Sequence, residues 1–159
     1  MTTVKHPASV MAWGCFSGKH GRGGLEFLPK NVTMNSDRYI EILESKILFR
    51  YQNRNCSFFM QDGAPCHTSK KSMKWLKRAG VRVMEWPGNS PDLNPIENLW
   101  HIMKNKLQDK QMKNLDELKA AIMGVWVNEV SPEYCRALAR SMVSRCQAVI
   151  NADGAATKY

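Results

Sequence analysis

The sequence lacks the features of a stapled, secreted or membrane protein. Its five cysteines, Cys15, Cys56, Cys66, Cys135 and Cys146, are odd in number, widely spaced and form no C-x-x-C pair. That speaks against a disulfide framework and against a zinc ribbon. The first residues, MTTVKHPASV, have neither the basic start nor the apolar run of a signal peptide, and no stretch of about 18 apolar residues offers a membrane span. A soluble, intracellular chain in a reducing compartment is expected, with no membrane partner. Asn31-Val-Thr33 and Asn55-Cys-Ser57 then read as chance matches to the glycosylation tripeptide. Repeats, low-complexity tracts and an interdomain linker are also lacking, so the 159 residues (1–159) are expected to form a single domain with its own core.

Acid is the scarce charge. Fourteen Asp+Glu face 23 Lys+Arg, leaving a net charge of +9, a surplus that favours anionic partners, nucleic acid ahead of an anionic membrane. Hydrophobic residues at 43% and five tryptophans exclude whole-chain disorder.

Along the chain, Ser9–Ser17 reads as a buried strand. Gly18, Gly21, Gly23 and Gly24 then surround Lys19, His20 and Arg22, giving a hairpin that returns through Leu25–Leu28. No Gly-Lys-Ser/Thr step leads from these glycines into a helix, which disfavours a phosphate-binding loop. From a Ser36 or Asn35 cap, Tyr39, Ile40, Leu43, Ile47 and Leu48 share one helix face. Cys56–Met60 reads as a second buried strand. His67-Thr-Ser69 caps a helix to Ala79, with Met73 and Leu76 inward and Gly80 as the stop. Val81–Trp86 alternates like a strand, and a turn-rich loop runs to Pro95. Ile96, Leu99, Trp100, Met103 and Leu107 stripe the next helix, and two more follow, near 114–128 and from Ser131-Pro132 to about 152. Trp75, Trp100 and Trp126 read as core anchors. The order of elements predicts a mixed α/β fold whose chemistry gathers at carboxyl strand ends.

Two carboxylates stand out there. Asp62 follows an apolar strand and precedes Gly63, a placement that suits a rigid metal ligand and equally an Asx-type turn. Glu97 lies in the first turn of a helix, where the dipole favours an ionised carboxylate, but Asn94-Pro95-Ile96-Glu97 also has the spacing of a capping box. The 34 intervening residues are enough for a helix and a strand to bring both acids to one sheet edge. Converging there, they would need a cation between them, and Mg²⁺ suits oxygen ligands shared with phosphate.

Gln61-Asp-Gly-Ala-Pro-Cys-His-Thr-Ser69 and Trp86-Pro-Gly-Asn-Ser-Pro-Asp-Leu-Asn-Pro-Ile-Glu-Asn-Leu-Trp100 closely resemble the catalytic domain of mariner-superfamily DDE transposases. Val10–Ser17 and Asn151-Ala-Asp-Gly154 extend the resemblance almost from end to end. It implies a ribonuclease-H-like mixed sheet flanked by helices, and a catalytic domain for metal-dependent DNA cleavage and strand transfer. It further implies Asp62 and Glu97 as second and third catalytic acids holding two Mg²⁺ or Mn²⁺ ions, DNA as partner, no small-molecule substrate and a nuclear location, with a homodimer left open.

In the family the first acid lies upstream of the strand that Ser9–Ser17 resembles. Asp37, Glu26 and Glu85 do not replace it, and the family's helix-turn-helix region is not matched. The sheet is therefore expected to be incomplete, without its first strand, and the chain inactive on its own. The alternative is a noncatalytic, transposase-derived nucleic-acid-binding or interaction domain. His67, Lys70, Lys71, Lys74, Lys77 and Arg78, with Lys104, form the candidate nucleic-acid contacts; Lys106, Lys110 and Lys113 could extend the track. Cysteine-protease chemistry at Cys66-His67 is disfavoured because adjacent side chains point apart, and His67, His101, Cys56 and Cys66 lack zinc-like spacing.

Overall fold

The computed structural model describes residues 9–48, 51, 58–85, 87 and 90–159. In chain order the described elements are β1 (Ala12–Ser17), β2 (Gly21–Phe27), α1 (Ser36–Leu43), α2 (Pro65–Thr68), α3 (Lys70–Arg78), α4 (Ile96–Leu107), α5 (Leu115–Glu129) and α6 (Pro132–Asn151). A π-helical turn at Glu44–Leu48 prolongs α1, and a 3₁₀ turn at Pro91–Leu93 precedes α4. The chain divides into two compact units: the described residues up to Val32 with Ile96–Ala139, and Thr33–Pro95 with Arg140–Tyr159.

The first unit is built on apolar burial. β1 and β2 pair antiparallel from Ala12↔Phe27 to Ser17↔Gly21, with an irregularity between Gly14 and Phe16. The hairpin packs its Leu25 into a cluster with Leu99, Met103, Ile122, Trp126 and Leu138. Leu99 is fully buried. The α4 stripe thus forms as its spacing predicts, and α5 starts where Asn114 accepts the Glu117 N–H at 2.9 Å. Trp126 is buried and donates to the Gly23 carbonyl at 3.3 Å; Trp100 lies 6.0 Å from it, nearly parallel. Gly14 lets that packing occur, because a Cβ there would meet the Trp100 ring at 2.8 Å.

The second unit buries Tyr39, Leu43 and Leu76 and adds a set of polar ties. Asn35 caps α1 by accepting the Arg38 N–H at 2.9 Å, as the sequence predicts. Ser69 caps α3, accepting the Ser72 N–H at 3.1 Å, and a chain of hydroxyls runs from Ser36 through Ser69 and buried Ser72 to the Cys66 carbonyl. Ser69 also ends α2, a short helix opened by Pro65. Gly80 stops α3 as expected: at φ +71° it donates to Lys77, and Val81 donates to Leu76 at 3.0 Å, closing both exposed carbonyls. Met73, expected inward, is instead 38% exposed, while Leu76 is fully buried. Trp75 is half-buried and donates to Glu44 at 3.0 Å.

The predicted sheet is only partly present. The described residues hold a two-stranded antiparallel sheet and one isolated parallel bridge, Phe59↔Val83. Cys56, Ser57 and Trp86, parts of two expected strands, lie outside the described residues. Pairing at Val83 is limited on both sides for local reasons: the Val81 N–H is spent on the α3 cap, and Pro87 has no N–H to give.

Candidate catalytic acids and basic surface

Asp62 sits where the Phe59 bridge segment turns into α2. Its Oδ1 accepts the Ala64 N–H at 2.9 Å and meets His67 Nδ1 at 2.5 Å. The Asx-type turn anticipated for this residue is therefore formed, but it uses one oxygen only. Oδ2 has no hydrogen-bond partner among the described residues, and the side chain is 51% exposed. The His67 hydrogen bond, helped by the Ala64 N–H and by the positive character of the imidazole, holds the Asp62 carboxyl below its ordinary value against the opposing pull of burial. An ionised Asp62 makes the Nδ1 of His67 the donor.

His67 was expected among nucleic-acid contacts; its side chain is only 14% exposed and is committed to Asp62. Its ring lies 4.1 Å from that of buried Tyr39. Gln61 links the two residues a second time, accepting from the Tyr39 hydroxyl at 2.6 Å and donating to the His67 carbonyl at 3.1 Å. Reasoning from sequence missed this support, although Asp62 and His67 stand five apart with Pro65 between them, a spacing that one tight helical turn can close. Burial pushes the Cys66 thiol up and the Asp62 charge adds to it, leaving a protonated thiol unsuited to nucleophilic attack.

Glu97 opens α4 in the other unit and is exposed. The capping box is not formed, because the Asn94 N–H donates instead to the Pro91 carbonyl at 2.9 Å in the 3₁₀ turn. The Glu97 carboxylate thus remains available for other chemistry. Glu97 and Lys104 line an open groove of about 1320 Å³ within that unit, floored by Trp100, Met103 and Leu118. Asp62 and Glu97 bring hard oxygen donors, one with an uncommitted oxygen and one exposed, and that donor chemistry fits Mg²⁺ or Mn²⁺. Among the described residues no group of three or more His, Cys, Asp or Glu forms a complete ligand set.

Lys70, Lys71, Lys74, Lys77 and Arg78 are all exposed on α3, separated from the Asp62 turn by the short α2. Lys71 pairs with Asp37. The other four have no carboxylate partner among the described residues, and no described helix is long and apolar enough to cross a membrane.

Residues 11–119 match the family described as DDE superfamily endonuclease. The Tcb1 transposase of Caenorhabditis briggsae is 38% identical over 162 residues, covering 99% of this chain and 57% of the relative. The Tc1 transposase of Caenorhabditis elegans is 38% identical over 160 residues, with the same two coverages of 99% and 57%. This chain therefore spans a little over half the length of the curated relatives it matches. Among solved structures, the Mos1 transposase catalytic domain with raltegravir and Mg superposes with a TM-score of 0.81 at 22% identity, covering 94% of this chain and 77% of that one. The Mos1 mariner paired end complex with Mn gives 0.85 at 20% identity, covering 99% and 48%. This likeness establishes the ribonuclease-H-like transposase fold, even though the described sheet is reduced to a hairpin and a bridge. The chain belongs to the DDE superfamily endonucleases, as a catalytic domain of the Tc1/mariner transposases.

Proposed function

We propose that the chain acts on DNA in the nucleus, supplying Asp62 and Glu97 as two of the acids that hold Mg²⁺ or Mn²⁺ during phosphodiester cleavage and strand transfer. When bound, such ions activate a water or a 3′-hydroxyl and stabilise the leaving oxygen. The observation that carries the reading is Asp62 itself: an ionised carboxylate fixed through one oxygen, its other oxygen without a partner among the described residues, one short helix ahead of the strongly basic α3. Lys70, Lys74, Lys77 and Arg78, with Lys104, would contact phosphates and so add affinity without sequence preference. Related Mos1 structures, a paired end complex with Mn and a catalytic domain with Mg, support the same chemistry. With two of three acids, the chain alone is proposed not to complete cleavage or joining.

The test measures two properties of the purified chain. Duplex DNA binding should weaken with salt by about 0.9 log units per neutralised phosphate for each log unit of salt, giving a slope of several units. Mn²⁺ should broaden signals around Asp62 and around Glu97, and each effect should fall in Asp62→Asn and Glu97→Gln. Salt-dependent DNA binding with no metal response at either acid would favour the noncatalytic DNA-binding reading. Metal-dependent strand transfer by this chain, lost in Asp62→Ala, would overturn its proposed inactivity.

A further inference from the structure

We propose that His67 is a positioning residue for Asp62: together with the Ala64 N–H it fixes one carboxylate oxygen and leaves the other for a divalent cation. The proposal rests on the reading of Asp62 as a metal ligand and adds the group that orients it. Two donors converge on Oδ1, His67 Nδ1 at 2.5 Å and Ala64 N at 2.9 Å, while Oδ2 accepts no hydrogen bond from a described residue. A half-exposed carboxylate without such donors would rotate freely about its last bond, and a cation would have to order it on binding.

The histidine is itself held on two sides. Its ring lies against that of Tyr39, the centroids 4.1 Å apart and the planes tilted by 33°, and its backbone carbonyl accepts from Gln61, whose other end accepts from the Tyr39 hydroxyl. Tyr39 is 1% exposed and anchors α1 in the unit's interior. Rigidity thus passes from a buried aromatic through Gln61 and His67 to the carboxylate, the arrangement by which outer groups orient metal ligands. A surface phosphate contact would need no such burial. Gln61 and His67 flank Asp62 in the very segment that carries the family resemblance, and this geometry gives both a physical reason to be there.

The experiment uses the whole chain, with Mn²⁺ as the probe and paramagnetic broadening at Gly63 and Ala64 as the readout, alongside thermal unfolding and salt-dependent DNA binding. Asp62→Asn should abolish the local broadening; if it does not, the metal-ligand reading fails first. His67→Leu keeps bulk but removes the donor, and should weaken Mn²⁺ binding about tenfold or more, while His67→Asn, whose amide nitrogen can replace Nδ1, should stay within about threefold of the original. His67→Gln, with its amide nitrogen one bond farther out, should behave like the leucine variant, which keeps the comparison decisive if leucine lowers the melting temperature. Unchanged Mn²⁺ affinity in both the Leu and Gln variants, with Asp62→Asn still abolishing the response, would overturn the positioning role alone. Equal weakening in the Asn and Gln variants would also overturn it. A loss of DNA affinity without loss of Mn²⁺ affinity would assign His67 to phosphate instead.

Discussion

The two acids are held by opposite physical means. Glu97 rides on a helix whose inner face, Leu99 and Met103, is locked into an apolar cluster with Leu25, Ile122 and Trp126, and its own side chain is exposed, with no partner among the described residues. Asp62 belongs to a turn with little apolar anchoring of its own, and a relay of side chains from Tyr39 constrains its carboxylate directly. Around Glu97 the backbone is fixed by burial, and no described residue bonds to the functional group. The unit that carries Asp62 holds further polar ties: the serine chain from Ser36 to Cys66, and buried Arg145, which donates to the Asp92 carbonyl and to Ser141, each at 2.8 Å. Burial fixes a backbone regardless of which apolar residue supplies it, whereas a polar relay depends on the identity of every member.

If that contrast is right, the largest stability loss should come from the apolar side. Leu99→Ala removes a fully buried side chain from the centre of the cluster and should cost about 2–5 kcal/mol in denaturant unfolding, with Leu99→Met far milder. A cost below about 1 kcal/mol would mean that the cluster around α4 is loosely packed. On the polar side, Arg145→Met should keep some packing against Tyr159, whose ring lies 4.7 Å from the guanidinium, but orphan the Asp92 carbonyl at a cost of about 1–3 kcal/mol. The Asp92 carboxylate also accepts the Thr157 N–H at 2.6 Å, so the same variant should speed hydrogen exchange at Thr157. Exchange unchanged there would show that the C-terminal segment is held without Arg145.

What could be read from the sequence follows this division. The apolar stripe of α4, the hairpin, and the caps at Asn35, Ser69 and Gly80 rest on local spacing and turn chemistry, and the sequence predicts all of them. Even Asn151-Ala-Asp-Gly154, carried by resemblance alone, has a local meaning: Asp153 at φ +50° and the Gly154 N–H bonded to Val149 at 3.0 Å close α6. The Asp62–His67 pair and the Tyr39–Gln61 link were not read. They depend on which side chains meet in space, and Tyr39 stands 22 residues from Gln61. The capping box at Glu97 failed for a related reason, since a 3₁₀ turn from Pro91 competed for the Asn94 N–H. Of the strands expected at Cys56–Met60 and Val81–Trp86, the described residues show the Phe59↔Val83 bridge, because ladder formation depends on partners that a single segment does not specify.

A smaller effect tests the serine chain. Ser69→Ala removes the α3 cap and the central hydroxyl of the relay, and should cost about 1–2 kcal/mol by thermal unfolding, while Ser69→Asp, which can still accept the Ser72 N–H, should recover most of it. The two variants together separate cap from relay. An aspartate can still accept from Ser36 but cannot donate to Ser72, so full recovery by Asp would leave the Ser69 to Ser72 hydroxyl bond no part in stability, and no recovery would place the whole effect in that donated hydroxyl.

The smallest effect is in pH, and it isolates Asp62. Its carboxyl titrates below the ordinary carboxylate value in the folded chain, chiefly because His67 hydrogen-bonds to it. Between the ordinary value and the lower folded one, the unfolded chain binds more protons than the folded chain, so stability falls as pH drops through that interval. The contribution is complete above the ordinary value and gone below the folded one. Because the side chain is half exposed, its size should stay under about 1 kcal/mol, as for other solvent-screened pairs. Urea unfolding of the original chain and Asp62→Asn at a series of pH values, neutral to strongly acidic, reads it as a difference in which every other carboxylate cancels. That difference should shrink steadily toward acid, and His67→Leu should flatten it. A difference that does not change with pH would mean that the His67 contact does not favour the ionised carboxylate, and the relay from Tyr39 would then end at the imidazole.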